Sequence, residues 1–253
     1  MPNLTDSRAV GIIPARWASS RFPGKPLARI AGKPMIEWVY KNACQASSLS
    51  DLVVATDDRR IYEAVTAFGG KVAMTSRTHP TGTDRCAELA RQLTDVQIVV
   101  NIQGDEPFVA ASQIDSLVDL MRGEQQFEIA TLARPLQELD AISNPNVVKV
   151  VFDRQQRALY FSRSVLPYDR AQSGGVKRYQ HLGIYAFRRH VLLDLGQLAP
   201  TELETAESLE QLRWLEHGYA IGIGLTETET ISIDHPEDVR QAESWIHQHK
   251  LKV

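Results

Sequence analysis

Residues 12–27 read IIPARWASSRFPGKPL. They continue an apolar run that begins at residue 9, and this run predicts a short buried strand. The stretch then loses its apolar periodicity and becomes a loop that carries three cations, Arg16, Arg21 and Lys25. A helical pattern resumes near Pro34. A strand, a loop that combines glycine with positive charge, and a helix, in this order, indicate a place where backbone N–H groups meet an anion.

The chemistry of this loop favours a nucleoside triphosphate as the anion. Arginine presents a planar fork of donors and lysine a mobile point charge, and phosphoryl chemistry needs cations where negative charge develops. Gly24 permits close approach of the backbone to a ligand. The spacing fits neither GxGxxG nor GxxxxGK[ST], so the loop is neither a dinucleotide fingerprint nor a P-loop. Taken alone, the loop is also compatible with an exposed basic segment that binds nothing.

The composition indicates an ordinary globular protein. The 253 residues are 43% hydrophobic and 23% charged, which suits one large domain or two small ones. The net charge of −3, from 28 basic and 31 acidic residues, argues against nucleic acid as a partner. Cys44 and Cys86, both within predicted helices, form neither a disulfide framework nor a metal-binding spacing. No apolar run approaches the roughly 18 residues of a membrane span, and residues 1–8 lack a hydrophobic signal core, so we expect a cytoplasmic protein without membrane insertion.

Strand and helix patterns alternate along the first half of the chain. Further strands are predicted at 51–56, 71–75 and 96–102. Helices are predicted at 34–46, 58–68 and 83–93. This alternation predicts a mostly parallel sheet with helices on both faces, and such sheets bind ligands at the carboxyl ends of their strands. The cationic loop, Asp57 and the segment after Ile102 all lie at such ends.

The middle of the chain departs from this pattern. Between about 134 and 180, prolines and glycines surround two strand-like runs, 147–152 and 158–161. We interpret this part as an antiparallel arm inserted into the parallel core, serving as a substrate lid or a dimer surface. The chain then returns to strands at 181–187 and 220–225 and to helices at 208–217 and 236–248. We expect a single domain over residues 1–253 that carries the arm.

Two acidic stretches at predicted strand ends are candidates for a cation site. Residues 103–107 read QGDEP after the most apolar strand, and residues 231–238 read ISIDHPED, with a short predicted strand that ends at Asp234. Mg²⁺ is a hard ion that prefers carboxylates and substrate phosphates, and Asp105 follows a flexible glycine. The alternative is structural, because acidic side chains at these places also cap helices.

Several long motifs give the chain a resemblance to a known family. They are residues 12–27, ATDD at 55–58, TGTDR at 81–85, VNIQGDEP at 100–107, LYFSRSVLPYDR at 159–170, HLGIYAF at 181–187, LEQLRWLEHG at 209–218 and IDHPEDV at 233–239. In content and order they closely resemble the 3-deoxy-manno-octulosonate cytidylyltransferases, also called CMP-Kdo synthetases. The resemblance extends from about Val10 to Asp238.

The resemblance implies a transferase that acts on CTP and the eight-carbon acidic sugar Kdo. The products would be CMP-Kdo and pyrophosphate, Mg²⁺ would be required, and the activated sugar would serve lipopolysaccharide synthesis. It further implies an α/β fold of the nucleotidyltransferase type, a three-layer sandwich, and a homodimer formed through the arm. The hydroxyl on the anomeric carbon would attack the α-phosphorus of CTP, so no side-chain nucleophile is needed, and the sequence offers no Ser/His/Asp arrangement.

The resemblance also implies roles for individual residues. The nucleotide would be bound by Pro14, Ala15, Arg16, Arg21, Lys25, Thr81, Gly82 and Gln103. The sugar would be surrounded by Gln103, Arg163, His181, Tyr185, Glu210 and Gln211. Mg²⁺ would be ligated by Asp105 and Asp234. The catalytic residues would be Arg16, Lys25 and Asp105.

The sequence leaves some alternatives. A cytidylyltransferase for an 8-amino relative of Kdo is the nearest, and one for a sialic acid is more remote; Glu106 in the complete QGDEP run favours Kdo. A regulatory protein that had lost catalysis would be expected to lack a metal carboxylate or a loop cation. Asp105, Asp234, Arg16 and Lys25 are all present. A structural protein leaves the polar motifs unexplained. Trp17 and His235 depart from the family pattern, in which Tyr and Thr are frequent, without removing an implied ligand.

Overall fold

The computed structural model describes residues 7–18, 22–125, 127–172 and 174–249. Its strands are β1 (Ala9–Ala15), β2 (Arg29–Ile30), β3 (Lys33–Pro34), β4 (Asp51–Thr56), β5 (Val72–Met74), β6 (Ile98–Asn101), β7 (Ile129–Leu136), β8 (Lys149–Phe152), β9 (Ala158–Ser162), β10 (Arg178–Arg188) and β11 (Ile221–Leu225). Its α-helices are α1 (Met35–Ala43), α2 (Arg59–Ala67), α3 (Gly82–Gln92), α4 (Ala111–Arg122), α5 (Leu139–Ser143), α6 (Arg189–Leu195), α7 (Glu202–Glu207), α8 (Glu210–Glu216) and α9 (Asp238–His249).

The central sheet has the strand order β11-β7-β10-β6-β1-β4-β5. Strand β10 is antiparallel to both of its neighbours, whereas β1 is parallel to β4 and β6, β4 to β5, and β11 to β7. The chain goes from β1 to β4 and β5 on one side and returns through β6 on the other side of β1. This reversal opens a crevice at the carboxyl ends of β1 and β6, where ligands bind in open α/β sheets.

Helices cover both faces of the sheet, which confirms the predicted three-layer α/β architecture. Successive residues of a strand point to opposite faces, so Ile13 packs in the core with α1, α2 and α4, and Ile12 packs in the core with α3, α6 and α8. Val99 and Val100 divide between the two cores in the same way. Because the central strands are buried on both faces, they are almost continuously apolar.

Local capping fixes the starts of the helices that lie near the crevice. The Thr81 hydroxyl accepts a hydrogen bond from the backbone N–H of Asp84 (3.1 Å), and the Asp84 carboxylate accepts from the backbone N–H of Thr81 (3.3 Å). This reciprocal capping box sets the N-terminus of α3. Asp58 caps α2 by accepting from the N–H of Arg60 at 2.9 Å. The TGTDR and ATDD motifs therefore contain helix starts as well as site residues.

The arm is antiparallel, as predicted. Strands β8 and β9 form a hairpin, and β8 also pairs with β10. The arm thereby places the 144–148 segment beside the amino end of β10. Since β10 runs against the parallel strands, its amino end lies at the same edge of the sheet as the carboxyl ends of β1 and β6.

Some predicted boundaries differ from the structure. The short strand predicted to end at Asp234 is wrong: residues 226–234 form neither helix nor strand, and Ile233 donates its N–H to the carbonyl oxygen of Asp105 at 2.9 Å. This segment is held by the loop after β6 instead of by a sheet neighbour. The last helix begins at Asp238 rather than Pro236, and Cys44 lies just beyond the end of α1. In the described part of the chain, no helix has the length and apolar character needed to cross a membrane.

Candidate active site

A cavity opens at the carboxyl ends of β1 and β6. It is lined by Pro14, Ala15, Arg16, Lys25, Pro26, Thr81, Gly82, Arg85, Gln103, Gly104, Asp105 and Asp234. Arg21 lies outside the described residues. The other residues predicted to bind the nucleotide all line this cavity, together with both predicted metal ligands. Segments far apart in the chain therefore meet at one place.

Gly104 allows the loop after β6 to lie directly against β1. A Cβ atom built at residue 104 would lie 2.8 Å from the carbonyl oxygen of Pro14, closer than real Cβ contacts. Any larger residue would push apart the two backbone segments that form the wall of the cavity. The sequence showed this glycine as a flexible residue before Asp105, whereas its structural role is close backbone approach.

Lys25 lies between the two candidate metal ligands. Its Nζ atom donates to Asp105 Oδ2 at 2.7 Å and lies 3.5 Å from Asp234 Oδ1. Gly24 directly before it has φ +72°, a conformation that favours glycine, and leads into the short 3₁₀ turn Lys25–Leu27. The loop therefore turns so that the ammonium group faces the carboxylates.

Asp238 holds the backbone that carries Asp234. One oxygen of its carboxylate, Oδ2, accepts from the N–H groups of Asp234 and His235, each at 2.8 Å. On the other side, Ile233 is bound to the carbonyl oxygen of Asp105. These contacts link the two candidate ligands through their main chains as well as through Lys25.

Asp105 and Asp234 are the residues here that could hold a hard cation. Both present a carboxylate oxygen to the same point, now taken by the Lys25 ammonium group. Among the described residues, no group of three or more His, Cys, Asp or Glu side chains has a metal-binding arrangement. A two-carboxylate site that leaves other positions to phosphate and water suits Mg²⁺, which is usually held by one or two carboxylates and substrate phosphates.

Trp17 fixes the base of the cationic loop. Its carbonyl oxygen accepts from the N–H of Gly24 at 3.0 Å, and its ring lies against Gly24, where a Cβ atom would approach it to 2.8 Å. The guanidinium of Arg60 also lies over the ring, 3.3 Å from its centroid, and Arg60 in turn pairs with Asp58 at 2.7 Å. Trp17, which lies between Arg16 and Lys25 in the sequence, thus ties the loop to α2 by a cation–π contact with Arg60.

Arg85 is a cavity residue that the sequence analysis did not select. It is buried, pairs with Asp57 at 3.0 Å and donates to the carbonyl oxygen of Ser76 at 3.1 Å. The sequence placed Asp57 at this edge of the sheet because it follows a strand. In the structure Asp57 is the ion-pair partner of the buried Arg85. The TGTDR motif could have indicated the role of Arg85, because an arginine on the buried face of a helix needs an acidic or carbonyl partner.

A second cavity adjoins the first and shares Gln103, Asp105 and Asp234 with it. Of the residues predicted to contact the sugar, it contains Gln103, His181, Tyr185 and Gln211. The Gln103 side chain donates to the carbonyl oxygen of Gly183 at 2.9 Å and so connects the loop after β6 with β10. Arg163 lines a third cavity, which shares Asn146, Val148, Ser232 and Asp234 with the second.

His181 is neutral in the folded protein. Burial lowers the pKa of His181 to about 3. Its Nε2 lies 3.0 Å from the hydroxyl of Thr131, and its ring meets Phe161 edge-on at a centroid distance of 4.9 Å. The imidazole can therefore exchange hydrogen bonds with a sugar hydroxyl but does not supply a positive charge.

Burial disfavours the charged form of two acidic residues, Glu106 in the second cavity and Glu210 outside the three cavities. Burial, and after it the charge of Asp105, raise the pKa of Glu106 to about 8; this residue lines the second cavity. Burial also raises the pKa of Glu210. Glu210 accepts from the Thr83 hydroxyl at 2.9 Å and lines none of the three cavities, so the structure places it behind the N-terminus of α3.

Comparison with known proteins agrees with this geometry. The family model described as Cytidylyltransferase matches residues 10–229. The 3-deoxy-manno-octulosonate cytidylyltransferase of Leptospira interrogans is 49% identical over 92% of this chain and 93% of its own, and that of Syntrophobacter fumaroxidans is 50% identical over 92% and 94%. A solved structure of CMP:2-keto-3-deoxy-manno-octonic acid synthetase complexed with CTP superposes with a TM-score of 0.91 at 41% identity, over 96% of this chain and 100% of that one. The chain therefore belongs to the family of 3-deoxy-manno-octulosonate cytidylyltransferases.

Proposed function

We propose that this protein transfers CMP from CTP to 3-deoxy-D-manno-octulosonate (Kdo), releasing pyrophosphate and supplying CMP-Kdo for lipopolysaccharide synthesis. The observation that carries the proposal is the pair of adjoining cavities. One is lined by cations and two carboxylates, the other by amide, imidazole and phenol groups, and they meet at Gln103, Asp105 and Asp234. A triphosphate and a polyhydroxylated sugar would thus be held side by side, as direct transfer requires.

The first cavity would hold the nucleotide. Arg16 and Lys25, together with Arg21, would neutralise the triphosphate and stabilise the charge that develops as pyrophosphate leaves. The N-terminus of α3, with Thr81 and Gly82, would present backbone N–H groups towards the base and ribose. Pro14 and Ala15 would offer backbone groups to the cytidine.

The other cavities would hold the sugar. The guanidinium of Arg163 is suited to the Kdo carboxylate. Gln103, Gln211 and His181 supply the donors and acceptors that sugar hydroxyls need. The anomeric oxygen would then form a bond to the α-phosphorus while the bond from that phosphorus to the bridging oxygen of pyrophosphate breaks.

Asp105 and Asp234 would hold Mg²⁺ at the junction of the cavities. A bound Mg²⁺ neutralises phosphate charge and lowers the pKa of a hydroxyl beside it. The chain's own contribution is to keep the two carboxylates together through Lys25 and through the hydrogen bond between Ile233 and Asp105. We further propose that the protein acts as a homodimer in the cytoplasm.

The proposal is tested by measuring pyrophosphate release. We expect release with CTP plus Kdo and Mg²⁺, and little with UTP or ATP, with a sialic acid, or after EDTA treatment. Faster release with 8-amino-Kdo would identify that sugar as the substrate instead. No release with CTP and any acidic sugar would refute the proposed activity.

The metal assignment is tested separately. Asp105→Ala should lower kcat/KM by at least about 100-fold, because the charge that neutralises the phosphates would no longer be held. Asp119→Ala, at an exposed position of α4, is the matched control. A folded Asp105→Ala protein with near-normal turnover would show that Asp105 is not a ligand.

A further inference from the structure

Lys149 is a buried cation that the proposed chemistry does not use. It lies in β8 with 0% of its surface exposed. Among the described residues it forms no ion pair with a carboxylate, although lysine is almost never fully buried without a partner. A buried ammonium group without compensation is strongly unfavourable, so its presence calls for an explanation.

Three backbone carbonyls satisfy the ammonium group. Nζ donates to the carbonyl oxygens of Asn144 at 2.9 Å, Val147 at 2.7 Å and Arg163 at 2.7 Å. These bonds use the full donor capacity of a lysine. They also join two parts of the arm, the turn at 144–147 and the end of the β9 strand.

The 144–147 turn and the end of α7 hold the guanidinium of Arg163, whose Nη2 also lies 3.4 Å from the carbonyl oxygen of Ser208. Its Nη1 donates to the carbonyl oxygen of Pro145 at 3.0 Å, within the turn that Lys149 ties, and its Nε donates to that of Glu207 at 2.7 Å. The Glu207 carboxylate accepts from the Arg163 N–H at 2.9 Å. The position of Arg163 at the edge of its cavity therefore depends on the end of α7 and on the turn, and Lys149 ties the turn to the backbone of Arg163.

The two positive charges are also close enough to interact. Burial, and after it the charge of Arg163, lower the pKa of Lys149, while the negative charge of Glu207 acts in the opposite direction. In a partly buried setting such charges are weakly screened. An anion that binds at Arg163 would experience both positive charges, reduced by the nearby carboxylate of Glu207.

We propose that Lys149 is a positioning residue for the carboxylate of the sugar: it assembles the 144–147 turn and Arg163 into one anion-binding corner and adds its charge behind it. This inference rests on the proposed function, since it takes the substrate to be a carboxylated sugar. Neutral sugars would gain nothing from the corner, so Lys149 would contribute to substrate specificity as well as to affinity.

The test compares Lys149→Met with Lys177→Met, an exposed lysine of the same arm. In Lys149→Met the KM for Kdo should rise by roughly 10- to 100-fold, as for other supporting residues of a site, while the KM for CTP stays within about twofold. Lys177→Met should leave both values unchanged. In Lys149→Met, Kdo should also bind no more tightly than its methyl ester. A merely structural role of Lys149 would leave the preference for the acid over the ester unchanged.

The outcomes separate this inference from the proposed function. If the wild-type protein does not couple CTP to Kdo, the proposed function fails. If it does, and Lys149→Met keeps its KM for Kdo or its preference for the acid over the ester, the role of Lys149 is refuted. If Lys149→Met does not fold, Lys149→Gln replaces it, because glutamine keeps two donors without the charge. The same two readouts apply, the KM for Kdo and the preference for Kdo over its methyl ester.

Discussion

Single residues in this protein have roles that depend on their surroundings. His181 shows this clearly, because a histidine at the start of a strand is unremarkable in sequence. In the structure it is 9% exposed, close to the hydroxyl of Thr131 and packed between Phe161 and Tyr185. Its contribution to the site is an uncharged polar ring in a cavity that also contains amide, phenol and carboxyl groups.

This environment predicts a pH dependence of stability. The pKa of His181 is about 3 in the folded protein and about 6.5 in the unfolded chain, so the unfolded state binds the additional proton as the pH falls from 6.5 towards 3. The free energy of unfolding should therefore fall by about 2 kcal/mol between pH 7 and pH 5 from this residue. The free energy of unfolding of His181→Gln, measured by urea denaturation at pH 7 and pH 5, should not show this part of the decrease.

His190→Gln is the control for the pH experiment, because His190 is exposed. It should follow the wild-type pH dependence. Equal decreases for the wild type and His181→Gln would show that the His181 ring is solvated in the folded protein.

At the scale of elements, the site is made by the contact of two loops across the sheet. The loop after β6 lies on the end of β1 because residue 104 has no side chain. The same loop accepts a hydrogen bond from Ile233 and reaches β10 through Gln103. One short segment thus sets the distance between the nucleotide cavity, the sugar cavity and the metal ligands.

Gly104→Ala should displace the loop after β6 from the end of β1, whereas the same substitution at an exposed position would displace nothing. The added Cβ would meet the Pro14 carbonyl oxygen at 2.8 Å, and relief requires a backbone shift that costs about 1–3 kcal/mol. We expect a roughly 10- to 100-fold loss of kcat/KM for CTP, since small displacements at a reacting centre are costly.

Gly123→Ala is the matched control for this loss. It lies at the far end of α4 with φ −67°, so the kinetics should be unchanged. Normal CTP kinetics in Gly104→Ala would mean that the loop and β1 can separate without affecting the site.

At the scale of the whole molecule, the arm exposes apolar surface. Leu139 is 81% exposed, Leu159 60% and Tyr168 80%, and all three lie between residues 134 and 180. Exposed apolar groups concentrated in one part of a protein indicate an interaction surface. A second copy of the chain is the partner that the family resemblance implies.

The homodimer can be tested by substituting this surface. The double variant Leu159→Glu/Tyr168→Glu should be a monomer in analytical ultracentrifugation at concentrations where the wild type is a dimer, because charged groups are depleted at interface cores. Met74→Glu, at a 50% exposed position on the edge strand β5, should remain a dimer. A monomeric wild type, or a dimer that survives the double substitution, would refute the arm as the interface.

Much of the architecture was predictable because it depends on neighbouring residues. The strand at 51–56 is confirmed to the residue, and α3 begins where Thr81 and Asp84 form a capping box. Apolar runs and caps act within a few residues. The strand predicted to end at Asp234 is absent for the opposite reason. The hydrogen-bond partner of Ile233 is Asp105, 128 residues earlier in a loop, and not a neighbouring strand.

Short stretches of chain specify the order of strands and helices, the cationic loop and the residue types of the site, because local patterns suffice for these. Which of these segments meet depends on the folded sheet. Lys25 lies 80 residues from Asp105 and 209 from Asp234 along the chain, and strand order brings them together. Burial likewise decided that His181 is neutral, that Glu210 supports α3, and that Lys149 binds carbonyls. Contacts and desolvation depend on packing of the entire sheet and its covering helices, which no local pattern contains.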